Sequence, residues 1–396
     1  TIDVSSITSD TVWTINEGVT VTVNGRITVT NSASLTLNGS GKILKAANFS
    51  DSYAFYVNQG STVTIDGVTI DGNKENQQTF EETKNMFRVD GKLELKSGDI
   101  LNHISYRGYG AVIYISSNPV GQFEMSGGTI HDNEVNATRR QGGAAIYNMG
   151  ECSISGGDIY SNRSTGGGAI YNGSMGKMYI TGGSIYNNTA TMKDDNQQLM
   201  GHGILHSALD SADSVLCIGG NADIQDNIYL DNGYADKLVY LTSQLSNPLE
   251  IVCRVPEESR AIAEGKNYTV TAKDMARISI ENSEWYFGLN QTNNRIFITQ
   301  RNTEAYIPIQ IETTDNGSSK VELKQNGVTV AELVYNGSGA YTGNLKEGTY
   351  DVFVNTVDTG RQITVDKNGT NTFPADTLVI AVRYTVTLPS GDGFAV

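Results

Sequence analysis

A seven-residue motif recurs through the first half of the chain. It reads Gly127-Gly128-Thr129-Ile130-His131-Asp132-Asn133, then Gly156-Gly157-Asp158-Ile159-Tyr160-Ser161-Asn162, then Gly182-Gly183-Ser184-Ile185-Tyr186-Asn187-Asn188. Weaker copies centre on Ile70, Ile100 and Ile224. From Ile70 through Ile100, Ile130, Ile159 and Ile185 to Ile224 the steps are 30, 30, 29, 26 and 39 residues. A second motif alternates with the first, as Ala111-Val112-Ile113-Tyr114, Ala144-Ala145-Ile146-Tyr147-Asn148 and Gly168-Ala169-Ile170-Tyr171-Asn172. Two motifs per period mean at least two strands per coil, and a coil of short strands needs about 20–30 residues. Amphipathic 3.6-residue patterns, which helical repeats of this length require, are absent. The repeat therefore predicts an all-β chain, a right-handed parallel β-helix whose core grows with each added coil.

Within each copy the isoleucine points inward and the next residue outward, by the period-two rule. The trailing asparagine falls where the chain must turn. Asn73, Asn102, Asn133, Asn162, Asn188 and Asn227 are thus predicted to adopt left-handed backbone angles and to bond one another as a ladder. The paired glycines permit a tight corner.

The composition agrees, with 43 Gly, 6 Pro and no helix-forming tracts. A net charge of −15 without a basic cluster argues against nucleic acid and anionic membranes as partners, because both need concentrated Lys and Arg. It also favours solubility. Cys152, Cys217 and Cys253 lie in apolar alternating runs, where buried free thiols are expected and a Cys217–Cys253 bridge is the alternative. No metal cluster or cofactor motif is present in the sequence, and no stretch of eighteen apolar residues predicts a membrane span. The start at Thr1 suggests a mature fragment of a longer precursor.

Composition shifts divide the chain into a β-helix over residues 1–227, a cap over 228–302, a β-sandwich module over 303–383 and the start of a further module over 384–396. Polar stretches at Asp71 to Met86 and at Lys193-Asp194-Asp195-Asn196-Gln197-Gln198 are predicted to protrude as loops from one corner. Within the cap, Pro256 and Gly265 suggest the ends of a short helix. Asp315-Asn316-Gly317, Gln325-Asn326-Gly327, Tyr335-Asn336-Gly337 and Lys367-Asn368-Gly369 read as hairpin turns.

The Gly-Gly-x-Ile-x-x-Asn and Gly-Ala-Ile-Tyr-Asn copies resemble the β-helix repeats of surface proteins and adhesins of gut bacteria, a fold shared with pectate-lyase-like enzymes. Leu345-Lys346-Glu347-Gly348-Thr349-Tyr350-Asp351-Val352-Phe353-Val354 is similar to carboxypeptidase-regulatory-like or Cna-B-like modules. The resemblance implies an extracellular, secreted or surface-attached protein, and fold alone does not decide its activity. Asp194-Asp195 and Gly201-His202-Gly203 resemble two of the three polygalacturonase motifs, but the order and spacing differ and the Asn-Thr-Asp is missing. Gly201-His202-Gly203 also aligns with the repeat itself. For a lyase, Arg107, Arg139-Arg140, Asp132 and Asp158 are available without a specific spacing. Two outward rows offer a binding surface: Tyr114, Tyr147 and Tyr171, and His131, Tyr160 and Tyr186. Each is predicted to stack on successive coils and to present flat ring faces to sugars; a self-stabilising ladder is the alternative. The leading expectation is a monomeric, non-catalytic adhesin that binds glycan or a host surface protein. A glycoside hydrolase or polysaccharide lyase and a structural spacer are the alternatives.

Overall fold

Alternating Thr, Val, Ile and Tyr favour extended backbone, and glycine- and asparagine-rich turns bend it at regular intervals. The computed structural model is accordingly 55% strand and 3% helix, with a parallel β-solenoid of about nine turns, so β pairing carries the fold. The structure describes residues 5–77, 85–106, 112–136, 142–207, 213–231, 237–280, 285–300, 306–366 and 369–379. Residues 1–300 and 301–396 form two separate units.

Three sheets run along the first unit. The long-strand sheet has 16 strands among the described residues, including Lys92–Leu101, Glu151–Tyr160 and Lys177–Tyr186. The lateral sheet has 11, including Ile113–Ile115, Ile146–Asn148, Ile170–Asn172 and Ile204–Ser207. Ile104–Ser105, Glu134–Val135, Arg163–Ser164 and Thr189–Ala190 form the third. The recurrent isoleucine stacks as its spacing predicts. Ile43, Ile70, Ile100, Ile130, Ile159, Ile185 and Ile224 are successive register partners, and all are buried. In the lateral sheet Phe55 stacks on Phe87 with ring centroids 5.0 Å apart, and Ile113, Ile146, Ile170, Ile204 and Ile228 continue the column.

The glycine pairs let one strand turn a corner without ending. Gly157 has φ +84°, and a Cβ there would sit 2.5 Å from the carbonyl oxygen of Gly128 on the preceding coil. A side chain would therefore be strained in backbone angle and would also force the coils apart.

The asparagine ladder differs from its prediction in two respects. The left-handed residue is Asn73 or Asn102 in the early coils but Asp132, Ser161 and Asn187 in the later ones, one position before the laddered asparagine. The turn and the ladder thus fall to neighbouring residues. The ladder itself comprises Asn133, Asn162 and Asn188, whose Nδ2 atoms donate to the next Oδ1 at 2.9 and 3.0 Å, and it ends on Asp226 Oδ2 at 2.8 Å. Asn227 lies outside it and accepts the His202 amide at 2.7 Å. Asn73 donates to the Lys45 carbonyl, and the ladder's first oxygen, on Asn133, accepts from the His103 amide. Each laddered Nδ2 also donates to the main-chain carbonyl of an isoleucine one coil earlier, at Ile100, Ile130 or Ile159. A second internal column runs Asn148, Asn172, His206, with Asn172 Nδ2 donating to His206 Nδ1 at 3.1 Å. Cys152, Cys217 and Cys253 are buried free thiols.

Past Asn227 the repeat motif fades but the coils continue. Ile228–Asp231, Leu249–Cys253 and Ile278–Ile280 still pair in parallel. The end is closed by an antiparallel hairpin, Trp285–Asn290 with Arg295–Gln300, which turns the last coil's pairing away from further parallel addition. The residues between Pro256 and Gly265 are not helical: Arg260–Gly265 is a strand, because Ala261 to Ala263 pair with the hairpin. The one α-helix among the described residues is Ala272–Met275, with a Thr271/Asp274 capping box. No described helix is long and apolar enough to cross a membrane.

The second unit is a seven-strand sheet among its described residues, hydrogen-bonded in one path that nearly closes as a barrel around Ile309, Ile311, Leu323, Val352 and Val365. Asn326-Gly327 and Asn336-Gly337 close hairpins as predicted, whereas Asn316-Gly317 links strands that are not neighbours. Lys367-Asn368 and residues 384–396 lie outside the described residues.

Asn162 is 1% exposed, so Asn162→Ala strands buried partners on both sides. A loss of about 2 kcal/mol is expected, measured as a shift in denaturation midpoint against the exposed neighbour variant Ser161→Ala. Burial, reinforced by nearby Lys237, holds His206 down at about 3. Its neutral form belongs to the fold, so its stability contribution is complete above the unfolded value near 6.5 and falls as pH drops from there towards 3. The expected loss is about 2 kcal/mol between pH 7 and pH 5, and thermal melts of His206→Asn should lack that part of the pH dependence.

Candidate functional site

The residue after each inward Phe or Ile of the lateral sheet points away from the solenoid core, and register places these residues in one column. It runs Tyr56, Arg88, Tyr114, Tyr147, Tyr171, Leu205, Tyr229, Val252. Tyr114, Tyr147 and Tyr171 stack with centroids 5.5 and 4.6 Å apart and planes within 18°. They are not an open platform, however. Tyr147 and Tyr171 are each 3% exposed, packed with Met200, Leu205, Tyr229 and Val252 into a second apolar cluster outside the main core, with Met149 and Met192 against it. The early end is more open. There the Arg88 guanidinium lies 5.5 Å from the ring centres of Tyr53 and Tyr56 and 5.7 Å from that of Tyr114, a cation–π arrangement. Buried Asp90 neutralises it at 2.9 Å and accepts the Tyr56 hydroxyl at 2.8 Å.

The predicted excursion at Lys193 to Gln198 leaves the coil, with Lys193, Asp195, Asn196 and Gln197 exposed, and is tied back to later coils by its side chains. Asp194 is buried and its Oδ2 accepts the Tyr229 hydroxyl at 2.6 Å, while its Oδ1 caps the amides of Asn196 and Gln198. Burial and this carboxylate push the Tyr229 phenol well above its ordinary range. Asp195 pairs with Arg254 at 3.2 Å, and Arg254 also holds Asp231 at 2.7 Å. His202 Nδ1 accepts the Ala190 amide. The acidic pair and the Gly-His-Gly are therefore engaged in holding a loop and a corner together.

The other row stays open. His131, Tyr160 and Tyr186 stack with centroids 4.7 and 5.2 Å apart and planes within 7°, and all three are half-buried. Two residues earlier on the same strands, and hence on the same face, Asp99, Thr129, Asp158, Ser184 and Asp223 form a parallel column. Thr69 and Thr129 both donate to Asp99, at 3.3 and 2.7 Å. Desolvation, with Tyr186, Asp132, Asp99 and Asp158 around it, raises the Tyr160 phenol, so it is a hydrogen-bond donor at neutral pH. Because the rings lie face to face, and Leu101 is the register partner beneath His131, the row shows its rims to solvent, not the flat faces predicted from the spacing. Asp132 is hydrogen-bonded to His131 at 2.7 Å. Arg107, Arg139 and Arg140 lie outside the described residues, and no group of three or more metal-ligating side chains is found among those described.

No family model, curated protein or solved structure matches the chain.

The two rows should separate on substitution. Tyr147→Ala empties a buried site and is expected to cost about 3 kcal/mol, whereas Tyr160→Ala removes a half-exposed rung and should cost under about 1.5 kcal/mol; paired denaturation curves compare them.

Proposed function

We propose that this chain is a non-catalytic display protein that works outside the cell, with the open face of its long-strand sheet binding a saccharide chain laid along the solenoid axis. The observation that supports this reading best is the side-by-side pair of columns on that face: the rims of His131, Tyr160 and Tyr186 beside the hydroxyls and carboxylates of Asp99, Thr129, Asp158 and Ser184. Aromatic rims supply apolar contact, and a regular comb of donors and acceptors suits vicinal hydroxyls. Successive rungs repeat the same contacts about every 4.8 Å, so a polymer can gain from several weak contacts at once. Structural engagement of Asp194, Asp195 and His202 favours binding over hydrolysis. A host surface protein is the other partner that the resemblance implies.

A glycan array carrying neutral, amino and uronate oligosaccharides, with host surface proteins spotted beside them, tests the reading. Binding is expected to rise with chain length and to fall about tenfold in Tyr160→Ala/Asp158→Asn. Unchanged binding in that variant would sink the site assignment. Release of reducing or unsaturated sugar ends would instead make the chain an enzyme.

A further inference from the structure

Each long strand bends at a glycine corner, and its two halves carry charge differently. Before the corner, lysines and carboxylates of neighbouring coils are matched. Lys92 holds Glu94 at 2.7 Å and Glu124 at 2.9 Å, and Lys177 holds Glu151 at 3.5 Å. After the corner, from the coil of Asp99 to that of Asp223, the strands contain no Lys or Arg. Their outward column there alternates carboxylate with hydroxyl: Asp99, Thr129, Asp158, Ser184, Asp223. All five side chains are half-exposed. Among the described residues, the Asp99 side chain accepts only the hydroxyls of Thr69 and Thr129, Asp223 accepts the Gln225 amide at 2.8 Å, and Asp158 has no side-chain partner. Two cations border this face, and both are engaged. Lys74 donates to the Asp132 carbonyl at 3.0 Å, and Arg163 pairs with Glu134 at 3.3 Å. A carboxylate only accepts hydrogen bonds. The column therefore holds acceptors and negative charge that the fold leaves unmatched, on strands whose other half matches them.

The spacing narrows the ligand further. Coils repeat about every 4.8 Å, so the carboxylates recur about every 9.6 Å. A pyranose ring in a β-1,4-linked chain advances by much the same distance as one coil, and the two-fold alternation of such a chain brings the same edge round at every second ring. The neighbouring rings of His131, Tyr160 and Tyr186 show their rims, which are the electropositive part of an aromatic quadrupole. They suit the apolar side of a sugar and leave a cation to the carboxylates. From this geometry we propose that the saccharide bound on the long-strand face is a β-1,4-linked chain of amino sugars with free, protonated amines, Asp99, Asp158 and Asp223 each receiving the ammonium of every second ring. Acetylation of the amines removes the charge that the column matches, and a uronate chain is repelled by it. This inference rests on the function proposed above and names the ligand class of that same face.

Titration calorimetry of the full chain with β-1,4-linked oligomers of glucosamine, N-acetylglucosamine and glucose of matched length, and with galacturonate oligomers, tests it at about pH 6, where a sugar amine is protonated. The glucosamine chain is expected to bind about tenfold more tightly than the glucose chain, and the ratio should shrink as salt is raised. In Asp99→Asn/Asp158→Asn, which keeps side-chain size, that ratio should fall towards one. Glu17→Gln/Glu347→Gln removes the same charge from exposed positions elsewhere and should keep it. Equal affinity for glucosamine and glucose chains overturns the amine assignment and leaves the saccharide face standing. A preference that survives Asp99→Asn/Asp158→Asn also overturns it, because the chain's net charge would then be the attraction. Failure of every oligomer to bind removes the saccharide face itself, and this inference with it.

Discussion

Parallel register between coils is the constraint on which the rest depends. Because each residue lies in register with its equivalent one turn away, bonded to the residues on either side of it, whatever is buried in one coil is buried again above and below. Apolar positions satisfy this by stacking Ile on Ile and Phe on Phe. Polar positions satisfy it only if the residue can serve as both donor and acceptor along the axis, which an amide side chain does and a cation, having no acceptor, does not. The internal polar groups accordingly come in columns: Asn133 with Asn162 and Asn188, and Asn148 with Asn172 and His206.

The same register explains why the surface reads as rows. Substituting one outward residue changes one rung, and a binding face needs several coils to agree. On the long-strand sheet they agree over His131, Tyr160 and Tyr186. On the lateral sheet they agree over a longer stretch, but a cover has been added: Met192 and Met200 bring unbranched, adaptable side chains onto the tyrosines, and acidic groups tie the cover to the next coils.

Much of the fold was legible because isoleucine spacing and strand pairing are the same fact seen twice. The steps from Ile70 to Ile185 correspond to the observed register partners, and the longer step to Ile224 is taken up by the hairpin after Ala190. Beyond Asn227 legibility failed since Tyr229, Val252 and Leu249 keep only the apolar alternation, without Gly-Gly or Asn to mark the corners. Pro256 and Gly265 misled because punctuation at both ends of a segment says nothing about pairing with a later hairpin. In the second unit, Asn326-Gly327 and Asn336-Gly337 were readable turns, while the turn at Asn355 and Thr356, both at positive φ, lacks the glycine that signals one. The outward rows were placed correctly by the period-two rule. Their exposure was not, because burial of Tyr147 and Tyr171 depends on a segment distant in sequence, and ring orientation is decided by stacking with the neighbour, which leaves only rims to solvent.

The asparagine column has a polarity. Every side-chain-to-side-chain bond in it runs the same way along the axis, from Asn133 towards Asn188, and the final acceptor, Asp226, is a carboxylate. An amide in that place would itself need somewhere to donate; an ionised carboxyl group does not. Aspartate therefore acts as a terminator. Any number of identical coils can be spliced in ahead of it without altering the chemistry at either end, so a solenoid of this design can change length by duplication while its internal dipoles remain aligned.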